Sequence, residues 1–351
     1  MPQITKRQHT VPRNYLRAWA HKNSIAACVK GKTLNSVSLD DVGQEKYFYS
    51  LEDLNCDETV FVLDFLQRQM KMPDSAIISH FSSHILPFIL KKVIENKTDN
   101  DTIKIVKLLI DRNLLHKELA NVLRNTILLQ TTTKIAIDAT NSPLTEWIKN
   151  GEEPINCNIE NDAWPYLDSA IRGDLSFFSD RQSSEKFILF LIHQLFRTCG
   201  ASRLAKDVLD KIGGNVRGEK VFTYLRLPLI YRIHDSLCSK LDTYQLILIN
   251  NNTNLEFITG DQPLLNLIRD NPPIFFDLYF PISPHKALLL CTKERANSIY
   301  CNINNCSREC VDYLNRKICD VSEGQIYASN AQVITENGYS VNRLPNSPDS
   351  Q

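Results

Sequence analysis

Apolar positions along this chain follow two different spacings. Between residues 57 and 130 they recur three and four apart, whereas from residue 244 onward they sit in short runs bounded by Asn, Gly and Pro. The first spacing predicts helices with one buried face and the second predicts strands. "DETVFVLDFLQRQM", residues 57–70, opens with acids that suit a helix N-terminus. Residues 75–96 read as a second helix, which Pro87 should kink or split. Residues 99–130 carry Ile103, Val106, Leu109, Ile110 and Leu114 along one helical face. Ser183–Ile212 is helical too, strongly apolar in its first half and stopped by Gly213 and Gly214.

Period-two patterns are fewer. "NSIAACVKGKTLNSVSL" predicts a hairpin about Lys30-Gly31-Lys32, where Gly31 can take positive φ. Leu246–Ile249 is expected to pair with Leu255–Thr259 across an Asn-rich turn. "DLYFPISPHKALLLCT" supplies two more extended runs, and "SRECVDYLNRKICDV" a late helix. Pro143, Gly151, Pro154, Pro165 and Gly173 punctuate residues 140–183, which read as an irregular connector. The expected fold class is α+β, predominantly helical, with a small antiparallel sheet formed mainly by the C-terminal third. Residues 1–335 are expected to form a single domain carrying every motif, followed by a disordered tail over 336–351.

Composition narrows the function. Lysine plus arginine and aspartate plus glutamate number 40 each, so the formal net charge is zero. That argues against a surface that grips nucleic acid or anionic lipid as a whole, though not against a local basic groove. The ten cysteines follow a polar, basic N-terminal stretch with no apolar core, which points to reduced thiols and a cytoplasmic location. Cys301, Cys306, Cys310 and Cys319 lack the paired spacing of a structural zinc site. The longest apolar run, Phe187–Ile192, is too short to cross a bilayer, so no membrane partner is expected. Phosphate-binding glycine loops, a G-x-S-x-G elbow and H-E-x-x-H are all absent. His80 and His84 stand four apart in an acid-free segment and read as a helix surface pair.

Three stretches could carry chemistry. In "QHTVPRNYLR" Pro12 starts a helix and keeps Gln8–Val11 extended, so His9 sits just ahead of a helix N-terminus. There it could serve as a general base or a metal ligand, or simply bond a backbone carbonyl. In "KFILFLIHQLFRTCG" Gln194 and Arg197 share one face of a buried helix, and a buried guanidinium needs a carboxylate, carbonyls or an anion. In "EFITGDQP" Asp261 follows Thr259-Gly260 at a strand end, a place for a metal ligand, for a carboxylate that orients a histidine, or for an ordinary turn residue.

"QHTVPRNYLRAW", "EKYFYS", "HQLFRT", "FITGDQP" and "FPISP", in that order, resemble the family called domain of unknown function 4238, over roughly residues 7–330. His9, Val11 and Pro12 match its His-x-Val-Pro motif, and Asp261 and Pro263 its Asp-x-Pro motif. Threonine stands at 10 where an aromatic is usual, Gly260 where serine is usual, and Gln262 where asparagine is usual. The resemblance implies a shared fold and polar site and brings no reaction with it.

If these residues converge, they suit a phosphoesterase or nuclease. His9 would be base or metal ligand, Asp261 an orienting carboxylate or metal ligand, and Arg197 a phosphate clamp. Gln8, Tyr15, Arg17, Gln194 and Thr259 would contact substrate. A divalent metal and a nucleic acid or nucleotide partner are compatible with that set, as is a role in bacterial defence. The alternative is a non-catalytic ligand-binding or interaction module, in which the same side chains hold an anion or form a structural polar network. Access decides between them, because catalysis needs an open cleft.

Overall fold

The structure, a computed structural model, describes residues 6–95, 97–115, 117–124, 143–212, 214–268 and 276–341. The fold class is α+β, mostly helical with small antiparallel sheets. The chain gathers into two compact units. One comprises Met1–Gln8, Lys46–Asn156 and Ser202–Arg232, and the other His9–Glu45, Cys157–Ala201 and Ile233–Gln351.

The first unit is helical. Asn55 starts the helix Cys56–Asp64 with a reciprocal cap, its Oδ1 accepting from Glu58 N–H while Glu58 accepts from Asn55 N–H, each at 2.9 Å. Glu58 is fully buried and also accepts from Arg217 at 2.6 Å. Pro87 splits the next stretch as expected, into Asp74–His84 and Leu86–Ile94, and sits in a first turn where its missing N–H costs nothing. By length and composition alone Asp74–Ile94 could cross a membrane, and 39% of that window is buried inside the protein. The expected helix over 99–130 is two helices, Asn100–Asp111 and Lys117–Leu123, and residues 125–130 lie outside the described part.

His80 and His84 are not a surface pair. They are 9% and 8% exposed, with rings stacked 4.3 Å apart and His84 6.2 Å from the Tyr224 ring. The same helical face carries Ile77, Phe81 and these two imidazoles inward, so burial of the apolar positions takes the histidines with it. Glu152 and Arg226 form a further buried pair at 2.6 Å.

The second unit holds two four-stranded antiparallel sheets. The hairpin Ser24–Val29 and Lys32–Ser38 forms as expected, with Lys30 and Gly31 both at positive φ. It joins a sheet ordered Lys32–Ser38, Ser24–Val29, Gln325–Ala328, Thr259–Gly260. The second sheet is ordered Tyr244–Asn250, Lys286–Thr292, Leu278–Ser283, Leu265–Asn266.

Leu246–Ile249 and Leu255–Thr259 therefore do not form a hairpin. The first belongs to the second sheet, and Thr259 lies in the first. Side chains decide this. Asn251 donates to Leu255 O and accepts from Thr253 N–H, closing the turn on itself, while Asn315 bonds Glu256 O and Ile258 N–H, the groups a partner strand would have used.

Of the stretch 140–183, residues 143–183 are likewise not irregular, and 140–142 lie outside the described residues. Pro143–Asn150 and Glu153–Arg172 are helices, the second of 20 residues with Pro165 inside it. Ile159, Ala163, Leu167 and Ala170 line its buried face, and that packing outweighs the backbone bond lost at Pro165. At the other end, Tyr339 and Val341, within the tail expected over 336–351, are buried, and residues 342–351 lie outside the described part.

Candidate functional site

The helix expected over Ser183–Ile212 breaks in two, Arg181–Phe196 and Cys199–Ile212, and Arg197 occupies the break. Its φ of −87° and ψ of 20° take it out of the helical ladder. The guanidinium is 3% exposed. It donates to the Glu160 carboxylate and to the backbone carbonyl of His9. Arg197 thus meets the need of a buried charge twice, with an acid and a carbonyl.

His9 is brought to Arg197 through its main chain. Thr10 and Val11 donate their N–H groups to Gly43 O at 2.8 and 3.1 Å, and Pro12 caps the helix Arg13–Leu16. Gly43 takes φ of 60°, and a Cβ there would press on Val11 Cβ at 3.1 Å. The imidazole is half-buried, and burial, then the charges of Arg197 and Arg13, lower its proton affinity. Both effects favour the uncharged ring.

The helix started by Pro12 aims Tyr15 inward. Its hydroxyl lies 2.7 Å from Thr259 Oγ1 and donates to Pro281 O at 2.7 Å. Trp19 Nε1–H donates to Phe257 O at 2.8 Å. Tyr15 and Thr259 are buried, whereas Arg17 is exposed. Gln194 is 1% exposed, and neither polar atom of its amide has a hydrogen-bond partner among the described residues. Gln8 belongs to the helical unit, where its amide accepts from Tyr49 N–H at 2.7 Å and donates to Lys149 O at 3.1 Å.

Asp261 does not turn toward His9. Its two oxygens accept the consecutive backbone N–H groups of Glu323, Gly324 and Gln325 at 2.9, 2.7 and 2.9 Å. Burial pushes this carboxyl up to about 6 even though the three donors pull it down. Gly260 beside it is crowded: a Cβ there would meet Ser322 Oγ at 2.2 Å and Gln325 O at 3.0 Å. Gln262, its amide oriented by its partners, accepts from Gly200 N–H at 2.9 Å and Ala201 N–H at 3.2 Å.

The expected set therefore separates. Arg197 holds the His9 carbonyl, and Tyr15 meets Thr259 and Pro281, so the chain start is tied separately to the helix break and to the late strands. Asp261 shapes the turn before Gln325–Ala328. Sequence reasoning missed Glu160 and Asn315, and gave Trp19 and Gln262 no role. The helical spacing of Ile159, Ala163 and Leu167 would have put Glu160 on a helix had Pro165 not suggested a loop.

A cavity of about 20 Å³ lies between Pro12, Tyr15, Glu160, Trp164 and Phe190, enough for a water molecule. A hollow of 750 Å³ in the helical unit is apolar, lined by residues such as Ile78, Leu86, Leu144 and Trp147, and contains none of the motif residues. Among the described residues no three of His, Cys, Asp and Glu gather to hold a metal, and the ten cysteines are free thiols.

The model of a family described as a protein of unknown function, DUF4238, matches residues 7–147 and 152–332. No curated protein and no solved structure matches the chain.

Proposed function

From the chain's membership of the DUF4238 family, whose description names no reaction, we propose that its shared motifs build a structural polar network and that the protein acts as a non-catalytic binding or interaction module. The observation that carries this is the state of Arg197. Its guanidinium is 3% exposed and already held by Glu160 and the His9 carbonyl. A phosphate clamp must offer donors to substrate, and these donors are committed. Asp261 is committed in the same way, to three backbone amides.

The hydrolase reading keeps one supporting observation. The His9 ring is half-buried, and burial beside two arginines favours its uncharged form, the form a general base needs. A nuclease or phosphoesterase built on it, in bacterial defence or elsewhere, would have to free Arg197 from Glu160 before a nucleotide or nucleic acid could bind.

The test is to assay the purified chain with Mg²⁺, Mn²⁺ and Zn²⁺ against RNA, DNA and nucleotides, beside His9→Ala, Arg197→Lys and Asp261→Asn. We expect no cleavage that depends on these residues, together with lowered melting temperatures for Arg197→Lys and Asp261→Asn. Cleavage by the wild type that is lost in a His9→Ala protein of unchanged melting temperature would overturn the proposal.

A further inference from the structure

We propose that Cys306 and Cys310 are a reversible oxidation site, at which a hydroperoxide converts the two thiols into a disulfide and an external dithiol restores them. This goes beyond the polar network and does not depend on it.

The two cysteines meet where a loop enters the helix Arg308–Val321. Ser307 caps that helix, its hydroxyl accepting from Cys310 N–H at 3.3 Å, so Cys310 is the third helical residue. Cys306 stands just before the cap and is fixed by its own N–H, which donates to Asn250 O at 3.2 Å. From these positions the side chains meet, and the Cys306 thiol hydrogen-bonds Cys310. Cys306 and Tyr279 belong to one apolar core cluster, and Cys310 packs against it. The Tyr279 hydroxyl is wholly buried, has no hydrogen-bond partner among the described residues, and lies within electrostatic reach of both sulfurs.

Access and charge assign the two roles. Cys306 is 6% exposed, whereas Cys310 is partly exposed and follows the exposed residues Ser307, Arg308 and Glu309. A peroxide therefore reaches Cys310 first. The thiolate is the reacting form of cysteine. The hydrogen bond from Cys306 lowers the proton affinity of Cys310 and raises that of Cys306. The first turn of a helix favours a thiolate as well. Deeper thiols run the other way, since burial pushes Cys199, Cys291 and Cys319 up to about 12.

The Cys310 thiolate attacks the terminal oxygen of the hydroperoxide. An S–O bond forms, the O–O bond breaks, and the alkoxide or hydroxide that leaves takes a proton from water. The sulfur has given two electrons to the peroxide and is now a sulfenic acid. Cys306 then attacks that sulfur. An S–S bond forms, the S–O bond breaks, and the departing hydroxide takes the Cys306 proton to become water. Exchange with an external dithiol returns both thiols, and the dithiol leaves as its own disulfide.

Trypsin cuts after Arg308, between the two cysteines, so the link joins the peptides Ala296–Arg308 and Glu309–Arg316. The reduced full chain is treated with hydrogen peroxide, blocked with N-ethylmaleimide, digested and analysed by mass spectrometry. We expect the joined pair, two hydrogens lighter than its separate parts, retained in Cys301→Ser and released by dithiothreitol. Cys306→Ser, oxidised in the presence of dimedone, should lose the joined pair and carry more dimedone adduct at Cys310 than the wild type does. Peroxide that oxidises the exposed Cys157 or Cys301 while Cys310 stays reduced would overturn the proposal. So would the absence of the joined pair, its loss in Cys301→Ser, or its formation only after urea has unfolded the chain.

Discussion

The guanidinium of Arg197 donates to the backbone carbonyl of His9, 188 positions earlier in the chain. A carbonyl near the start and an arginine at a helix break thus satisfy each other, with Glu160 supplying the opposite charge. The two partners of this ion pair are not equivalent, because Glu160 is 28% exposed and Arg197 3%.

Removing either partner should therefore have unequal effects. Glu160→Ala leaves a buried cation without its acid and is expected to cost about 3–5 kcal/mol. Arg197→Met leaves a carboxylate that water can reach and a carbonyl without its donor, at a cost of about 1–3 kcal/mol. Urea unfolding of both variants checks the order. Equal losses would contradict the burial difference.

His80 predicts a sensitivity to acid in the helical unit. Burial, then the neighbouring His84, takes His80 from 6.5 down to about 3, and burial lowers His84 as well, with Glu152 and Arg226 nearby. A lowered histidine stabilises the fold above its unfolded value, and that stability is lost as pH falls from 6.5 toward 3. His80→Leu removes the titrating group. The wild type should lose stability relative to this variant as pH drops from about 6.5 to about 4, as read by chemical unfolding at each pH. A difference that stays constant across that range would refute the assignment.

Asp261 predicts the opposite slope. Its carboxyl is raised from 3.8 to about 6, so the folded chain holds this proton more tightly than the unfolded chain. The stability it contributes is present below 3.8 and lost as pH rises through about 6. Measured against Asp261→Asn, which cannot titrate, wild-type stability should fall by roughly 1–3 kcal/mol between those limits. Asparagine also turns one acceptor into a donor facing backbone N–H groups, so the variant should be less stable overall.

Gly260 predicts a steric limit. Serine, usual here in the family pattern, would place its Cβ against Ser322 Oγ and Gln325 O. Gly260→Ser alone should cost about 1–3 kcal/mol through overpacking. Gly260→Ser with Ser322→Gly should recover most of that loss in thermal melts, since the nearest clash is then gone.

Local physics made a large part of this fold legible. The split at Pro87, the hairpin about Gly31 and the helix Arg308–Val321 each follow from backbone freedom or a cap within a few residues. Pro12 likewise announces the extended arm before it and the helix after it. Arg197 could be marked as a residue in need of a partner, because a guanidinium among Phe, Leu and Ile has no other way to be buried.

Who the partner would be was settled only in three dimensions. Glu160 lay inside a stretch whose prolines and glycines read as a loop, and packing of Ile159, Ala163 and Leu167 made it a helix. Leu246–Ile249 and Leu255–Thr259 have the alternation of a hairpin, yet Asn251 and Asn315 divert them into different sheets. Periodicity reports which side of an element seeks burial, since that depends on neighbours along the chain. It cannot report which surface arrives to bury it, nor which carboxylate meets which donor, because those choices belong to contacts between residues a hundred or more positions apart.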